Sequence, residues 1–263
     1  MKRLWILTAA VVLAASWHAW AQDAPGVDEI VKKTNHQAYY QGESGVARVS
    51  MTITDKQGRT RQKAFTILRK NTDDQDKEQR FYVYFHEPSD EQGVTYMVWK
   101  HVGADDDRWL YLPKLDVTKR IAASDERTSF VGSHFFYEDV SGRGLDEDTH
   151  ELVETTETYY VVKNTPKNKG AVEFDSFTMW IHKSTFIPVK VAFEKGGNVY
   201  RTAEVLEVKD VQGYKTVTKS KMTDNNIGGN TAISYSDVKY DLGISPDVFT
   251  ERYLKNPPAE YIK

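Results

Sequence analysis

Residues 81–85 read Phe81-Tyr82-Val83-Tyr84-Phe85, five large side chains without a polar break. A strand with one wet face alternates apolar with polar residues. This one does not, and neither do Val94-Thr95-Tyr96-Met97-Val98-Trp99, Trp109-Leu110-Tyr111-Leu112 or Phe177-Thr178-Met179-Trp180-Ile181. Both faces of these strands require cover, yet the rest of the chain offers only two or three short helices. Two architectures answer that demand. One is a closed barrel or sandwich that tolerates tyrosines outside. The other is a curved sheet whose aromatic concave face is partly empty and holds a lipid-like ligand.

Outward from this stretch the period is two. Ala47, Val49, Met51 and Ile53 alternate with Arg48, Ser50, Thr52 and Thr54, and after the turn Asp55-Lys56-Gln57-Gly58 a partner strand runs from Lys63 to Lys70. Further strands are predicted at Arg80–His86, Val94–Val102, Arg108–Leu112 and Val117–Ala122, then at Tyr159–Asn164, Ala171–His182, Ile187–Lys195, Asn198–Val208, Lys215–Asp224 and Thr231–Tyr240. Gly/Pro/Asp-rich turns such as Glu87-Pro88-Ser89-Asp90, Gly196-Gly197 and Gly228-Gly229 separate them. One helix is predicted near the start, where Val27, Ile30, Val31, Thr34 and Ala38 recur at helical spacing and Asp28 and Glu29 occupy the first turn; it ends near Tyr39-Tyr40. Short helices are expected over Ser124–Phe130 and Pro246–Leu254, the second with Ser245 as N-cap. The expectation is a mainly β, single-domain meander.

The N-terminus gives an address. Lys2 and Arg3 precede an apolar run from Leu4 to Ala15, and Ala19-Trp20-Ala21 closes the segment. This reads as a secretory signal peptide over residues 1–21, leaving residues 22–263 as the mature domain in the periplasm. The apolar run is too short to span a bilayer comfortably. The 263 residues contain no cysteine, so neither a lipid anchor nor a disulfide is available and a packed core must hold the fold. The formal net charge is −3, with the signs interspersed and no basic stripe, which argues against nucleic acid as a partner.

Chemistry is sparse. Ser133, His134, Glu138 and Asp139 sit together in Ser129-Phe130-Val131-Gly132-Ser133-His134-Phe135-Phe136-Tyr137-Glu138-Asp139. Adjacent side chains of an extended chain point to opposite faces, so His134 cannot activate Ser133, and no G-x-S-x-G elbow occurs. The histidines His36, His86, His101, His134, His150 and His182 form no metal-binding spacing. Asp105-Asp106-Asp107, Asp125-Glu126-Arg127 and Asp146-Glu147-Asp148 read as solvated loop charge, since none has the alternating oxygens of a calcium loop. No enzyme activity and no cofactor is expected. The candidate ligand-binding set is therefore apolar: Phe65, Phe81, Val83, Phe85, Tyr96, Val98, Trp99, Trp109, Tyr111, Phe130, Phe135 and Trp180.

Leu110-Tyr111-Leu112-Pro113, Thr118-Lys119-Arg120-Ile121-Ala122, the string Phe130-x-Gly132-Ser133-x-Phe135-x-Tyr137-Glu138-Asp139, and the close on Asp241-Leu242-Gly243-Ile244, Phe249 and Leu254 carry a resemblance. The mature chain resembles the LolA-like outer membrane lipoprotein-sorting proteins along essentially its whole length. The resemblance implies an unclosed antiparallel β-barrel, a LolA/LolB-like half-barrel, with a few helices capping an apolar cavity. It also implies a monomeric periplasmic carrier of lipid or lipoprotein acyl chains, receiving cargo from an inner-membrane transporter (RND-type or ATP-driven) and passing it to an outer-membrane acceptor. His134 stands where relatives often have Asp, and Phe136 where Thr is common, which speaks against catalysis at position 134. Phe130 and Phe135 are then expected to pack a lid segment with Gly132 at its bend, and Glu138 and Asp139 to satisfy backbone donors or pair with Arg120 or Arg127. The alternative is a dry-cored β-scaffold that docks an envelope transporter without carrying lipid.

Overall fold

The computed structural model describes residues 25–262, so the signal peptide expected over residues 1–21 lies outside the described residues. Helix α1 (Val27–Asn35) buries Ile30, Val31 and Thr34, and a π-helical turn, His36–Tyr40, extends it. The first half of the sheet follows as β1 (Ser44–Asp55), β2 (Thr60–Asn71), β3 (Glu78–Glu87), β4 (Thr95–His101), β5 (Asp107–Leu112) and β6 (Val117–Ile121). The second half comprises β7 (Asp148–Thr155), β8 (Tyr159–Pro166), β9 (Ser176–His182), β10 (Pro188–Lys195), β11 (Asn198–Val211), β12 (Tyr214–Asp224) and β13 (Gly229–Tyr240). All pair antiparallel in one 13-stranded sheet, ordered β6-β5-β4-β3-β2-β1-β13-β12-β11-β10-β9-β8-β7. Strands β6 and β7 are its two edges, so the curved sheet does not close into a barrel. Among the described residues no helix is long and apolar enough to cross a membrane.

This order forces one long excursion. The chain leaves β6 at one edge and re-enters at β7 on the other, and residues 122–147 make that crossing over the inner face. The crossing is not the helix expected over Ser124–Phe130. It holds a 3-10 turn at Ala123–Asp125, a tight hairpin in which Ser129 bridges Phe136 and the Phe130 N–H donates to Phe135 O at 2.7 Å, and α2 (Tyr137–Ser141). Val131 (φ 46°) and Gly132 (φ 79°) supply the reversal inside the hairpin. For a β-branched residue that backbone is unusual and must be held by its surroundings.

The doubly apolar strands have their two faces covered by different segments. On the inner side Phe65, Phe81, Val83, Phe85, Tyr96 and Val98 pack with Phe130 and Tyr137 of the crossing. On the outer side Leu68, Tyr82, Met97 and Trp109 pack with Ile244, Val248, Phe249 and Leu254 of the C-terminal tail. That tail is a 3-10 turn (Pro246–Phe249), α3 (Glu251–Lys255) and α4 (Ala259–Ile262), with Ser245 accepting from the Asp247 N–H as the expected cap. Its carbonyls are used as well: Trp99 Nε1 donates to Phe249 O at 2.8 Å, Tyr82 Oη to Tyr253 O at 2.8 Å and Thr95 Oγ1 to Leu254 O at 2.9 Å. Each fully buried Ile, Val, Phe or Leu of this cover is worth about 1.5–3 kcal/mol of burial. The cover demanded by residues 81–85 is thus found within the chain.

Candidate functional site

The inner face of the middle and second half of the sheet is covered only in part. Helix α1 packs Ile30 and Val31 on Tyr160 and Val162 of β8 and Ile181 of β9. Beside that contact α1 and its π-turn leave a cleft of two adjoining lobes that share Ala38, Tyr39 and Pro188. The first lobe, about 280 Å³, lies over β1, β2, β12 and β13, between Val46, Ile67, Phe81, Val205, Val217 and Val238. The second, about 210 Å³, lies over β9–β12, between Val31, Phe135, Phe177, Met179, Val191 and Phe193. Period-two alternation places these residues on one side of each strand, as Phe177 opposite Phe193 and Met179 opposite Val191 show. Apolar walls with a few polar groups at the rim are the usual make-up of a small-ligand site, and such sites run to roughly 300–1,000 Å³.

The π-turn is pinned over the first lobe by side chains from both halves of the sheet. Gln37 Nε2 and Gln41 Nε2 both donate to Lys215 O of β12, at 2.8 and 3.1 Å. From β2 and β3, Arg69 donates to Gln41 O, Asn71 Nδ2 to Tyr40 O at 3.0 Å, and Gln79 Nε2 to Tyr39 O at 2.7 Å. These are carbonyls that a helix end leaves without intrahelical partners. Tyr39 also contacts the crossing: Gly142 (φ +80°) comes so close that a Cβ there would lie 2.8 Å from the ring. Burial, reinforced by Asp139 and Glu138, pushes the Tyr39 hydroxyl far above the ordinary phenol range, so it stays neutral.

The crossing itself is held by buried ion pairs. Arg127 forks onto Glu173 (2.6 and 2.8 Å) and also pairs with Glu138, while Arg143 reaches Asp148 at 2.9 Å and Glu138 at 3.1 Å. Arg201 of β11, whose side chain is fully buried, pairs with Asp139 and lies 3.9 Å above the Phe136 ring. Burial alone would raise the Glu173 carboxyl, but hydrogen bonds from Arg127 and Tyr200 outweigh it and hold the group at about 2. From the first half, Arg108 meets Asp106 at 2.8 Å and Glu126 at 3.1 Å, and Lys100 donates to Ser141 O at 2.6 Å. Burial pulls the Lys100 ammonium down to about 8. Asp106, Glu126, Arg127 and Asp148 are therefore strapping groups, not the solvated loop charge their runs suggested. Of the two arginines expected for Glu138 and Asp139, Arg127 serves, whereas Arg120 pairs with Asp107.

Ser133 and His134 have structural duties. His134 donates its backbone N–H to Thr231 Oγ1 at 3.0 Å, and its Nδ1 lies 2.8 Å from the same oxygen, fastening the crossing to β13. Ser133 Oγ accepts from the Phe135 N–H at 3.1 Å. Among the described residues no group of acidic or histidine side chains is arranged to hold a metal ion.

The twelve apolar candidates divide three ways. Phe81 lines the first lobe and Phe135 the second. Phe65, Val83, Phe85, Tyr96, Val98 and Phe130 share the concave face but form a dry core, with Phe130 standing 5.6 Å from Tyr96 and 6.3 Å from Phe65, ring centre to ring centre. Trp99, Trp109 and Tyr111 face the other way, under the C-terminal tail. Trp180 also faces away from the cleft, beneath Lys190 at 4.8 Å. The reason is the alternation of the strand: Tyr96 and Val98 cannot share a face with Trp99, nor Met179 with Trp180. Of the residues that line most of the cleft, Ala38 lies in the π-turn, and Val191, Ala203 and Met222 sit beside Lys190, Thr202 and Lys221 in strands without an aromatic run. Their sequence signal is weak.

The sequence profile of a LolA-like family of uncharacterized proteins matches residues 77–256, more than half of the chain. The chain belongs to the LolA-like family. No curated protein matches it. A crystal structure of a DUF1329 family protein from Desulfovibrio piger ATCC 29098 is similar at TM-score 0.78 and 23% identity, over 88% of this chain and 100% of that one. A domain described as an outer membrane lipoprotein-sorting protein, from Vibrio parahaemolyticus, gives TM-score 0.77 and 23% identity over 86% of this chain and 97% of that one. A LolA superfamily protein from Nitrosomonas europaea gives 0.67 and 19%, over 88% and 100%. At these identities the likeness is one of fold: this LolA-like chain shares the unclosed, helix-capped sheet.

Proposed function

We propose that the protein is a periplasmic carrier that holds the acyl chain of a lipid or lipoprotein in the cleft under α1. In this reading residues 1–21 export it, and the mature chain moves cargo between an inner-membrane transporter and an outer-membrane acceptor. The role written in the Vibrio neighbour's description, lipoprotein sorting, is the one carried over. One observation supports it above the others: apolar walls from eight strands and α1 line two adjoining lobes that no side chain among the described residues fills.

A buried methylene is worth about 0.8 kcal/mol, so a sixteen-carbon chain gains roughly 12 kcal/mol gross on leaving water. That is enough to hold cargo in transit and too much to leave exposed. Release then requires a movement that opens the cleft, and the side-chain bonds to the π-turn are the contacts that such a movement breaks. The dry-scaffold alternative accounts for the packed core around Phe130 but not for the cleft.

The test is uptake of an acyl probe whose emission rises in apolar surroundings. Wild type is expected to take it up saturably and shield it from a soluble quencher, and Ala203→Trp, which fills the second lobe, to abolish this. Absence of saturable uptake by wild type refutes the carrier reading.

A further inference from the structure

We propose that the first lobe is a headgroup site, so that the preferred ligand is an amphiphile with an acyl tail and one anionic group, carboxylate or phosphate, seated at Arg69. This deepens the carrier reading and rests on it.

The lobe is lined by Arg69 and Lys215 and by no carboxylate. Lys215 is already neutralised, its Nζ lying 2.9 Å from Asp210. Arg69 is not. Its hydrogen bonds go to neutral acceptors: Nη1 to Asn71 Oδ1 at 2.6 Å, and Nη2 to the carbonyls of Gln41 and, at 3.2 Å, Gly42. Among the described residues no carboxylate lies within ion-pair distance of it, in contrast to the buried arginines Arg108, Arg127, Arg143 and Arg201, each of which has one. Asp241, whose field reaches Arg69, has its two oxygens engaged by the Glu43 N–H at 2.7 Å and the Tyr214 hydroxyl at 2.8 Å.

Arg69 is half-buried, and a cation withdrawn from water without a counter-ion is costly, so proteins ordinarily pair it. Burial lowers the Arg69 guanidinium's pKa, the mark of a charge whose surroundings do not compensate it. Its fixed fork of donors matches a carboxylate or phosphate, and among the described residues its Nε–H donates to no acceptor. The position also suits an amphiphile. Arg69 sits at the end of the cleft beside the π-turn, while the second lobe, with Phe177, Met179 and Phe193, runs away from it beyond Tyr39 and Pro188. A head at Arg69 would lay its tail toward that lobe.

The experiment compares matched probes on the whole mature protein. cis-Parinaric acid is set against its methyl ester, and a pyrene-labelled lysophosphatidic acid against the corresponding lysophosphatidylcholine. Wild type is expected to bind at least one anionic member about tenfold more tightly than its partner, the gain ordinary for a charge-assisted hydrogen bond out of water. Whichever pair shows the larger ratio identifies carboxylate or phosphate as the source. Arg69→Met is expected to erase the ratio, even where loss of its bonds to the Gln41 and Gly42 carbonyls changes the affinities for both members of a pair together, and Arg69→Lys to keep most of it. A merely structural role for Arg69 would lower both affinities together and leave the ratio intact, which overturns the assignment. So does a wild-type ratio within about twofold in both pairs, a comparison that stands even if Arg69→Met does not fold. Saturable ester uptake without anionic preference defeats only the headgroup site; no uptake of any probe defeats the carrier reading beneath it.

Discussion

Replacing Asp139 with Asn should cost far more than its place in a connecting segment suggests. The Arg201 side chain is fully buried and Asp139 is 17% exposed, so the substitution strands a guanidinium where water cannot reach it. Arg201 would keep a 3.3 Å bond from Nε to His134 O and its stacking on Phe136 and Phe193, none of which supplies a counter-charge. Breaking a buried pair from one side costs about 3–5 kcal/mol, a large share of the roughly 5–15 kcal/mol that holds a domain together. The opposite truncation, Arg201→Met, leaves a carboxylate that still accepts the Phe136 N–H at 2.6 Å and can draw in water, so about 1–3 kcal/mol is expected. The double variant should lose less than the sum of the two, by at least about 1 kcal/mol, because neither charge is then left alone. Urea unfolding of the four proteins, read as midpoint and slope, measures this. A loss below about 1 kcal/mol for Asp139→Asn, with additive singles, would refute the view that ion pairs fasten the crossing to the sheet.

Phe130→Ala is expected to cost about 3–5 kcal/mol by opening the dry core while leaving acyl-probe affinity of the folded protein unchanged, since Phe130 lines neither lobe; calorimetry and probe titration check the two halves. Gly142→Ala sets a Cβ 2.8 Å from the Tyr39 ring at φ +80°, and should destabilise the protein by more than 1 kcal/mol on the order of backbone strain alone and shift probe affinity with it. Lys100 has its folded pKa pulled down to about 8 from 10.5, so the unfolded chain binds the extra proton between those values and stability rises with pH there. Chemical denaturation from pH 8 to 9.5 should show that rise in wild type and a flatter profile in Lys100→Met; identical slopes would contradict it. Trp99→Asp should unseat the C-terminal tail by removing the bond to Phe249 O and the contact with Trp109, seen as a red shift of tryptophan emission.

The strand pattern and the turns were legible because alternation and Gly/Pro/Asp chemistry are local. So was the need for cover on both faces of residues 81–85. What supplied the outer cover was not, since Ile244, Val248, Phe249 and Leu254 are thinly spaced in a tail with little periodicity. Strand β7 escaped because Asp148–Thr155 is a polar edge strand with most of its side chains exposed. Most of the twelve apolar candidates lie outside the cleft for a related reason. Aromatic density marks where the chain packs most tightly, whereas a cleft is bounded by residues that fall short of meeting one another. Ala38, Ala203 and Val191 carry that shortfall, and it exists only once α1 is set against β9–β13. The straps were hidden too, because Asp139 and Arg201, 62 residues apart, meet only when the crossing lies on β11.

A brominated fatty acid bound to crystals of the mature protein would locate the guest directly through the anomalous signal of its bromines. Peaks are expected between Tyr39, Met179, Val191 and Met222. Peaks among Phe65, Phe85 and Phe130, or none at a saturating concentration, would contradict this placement.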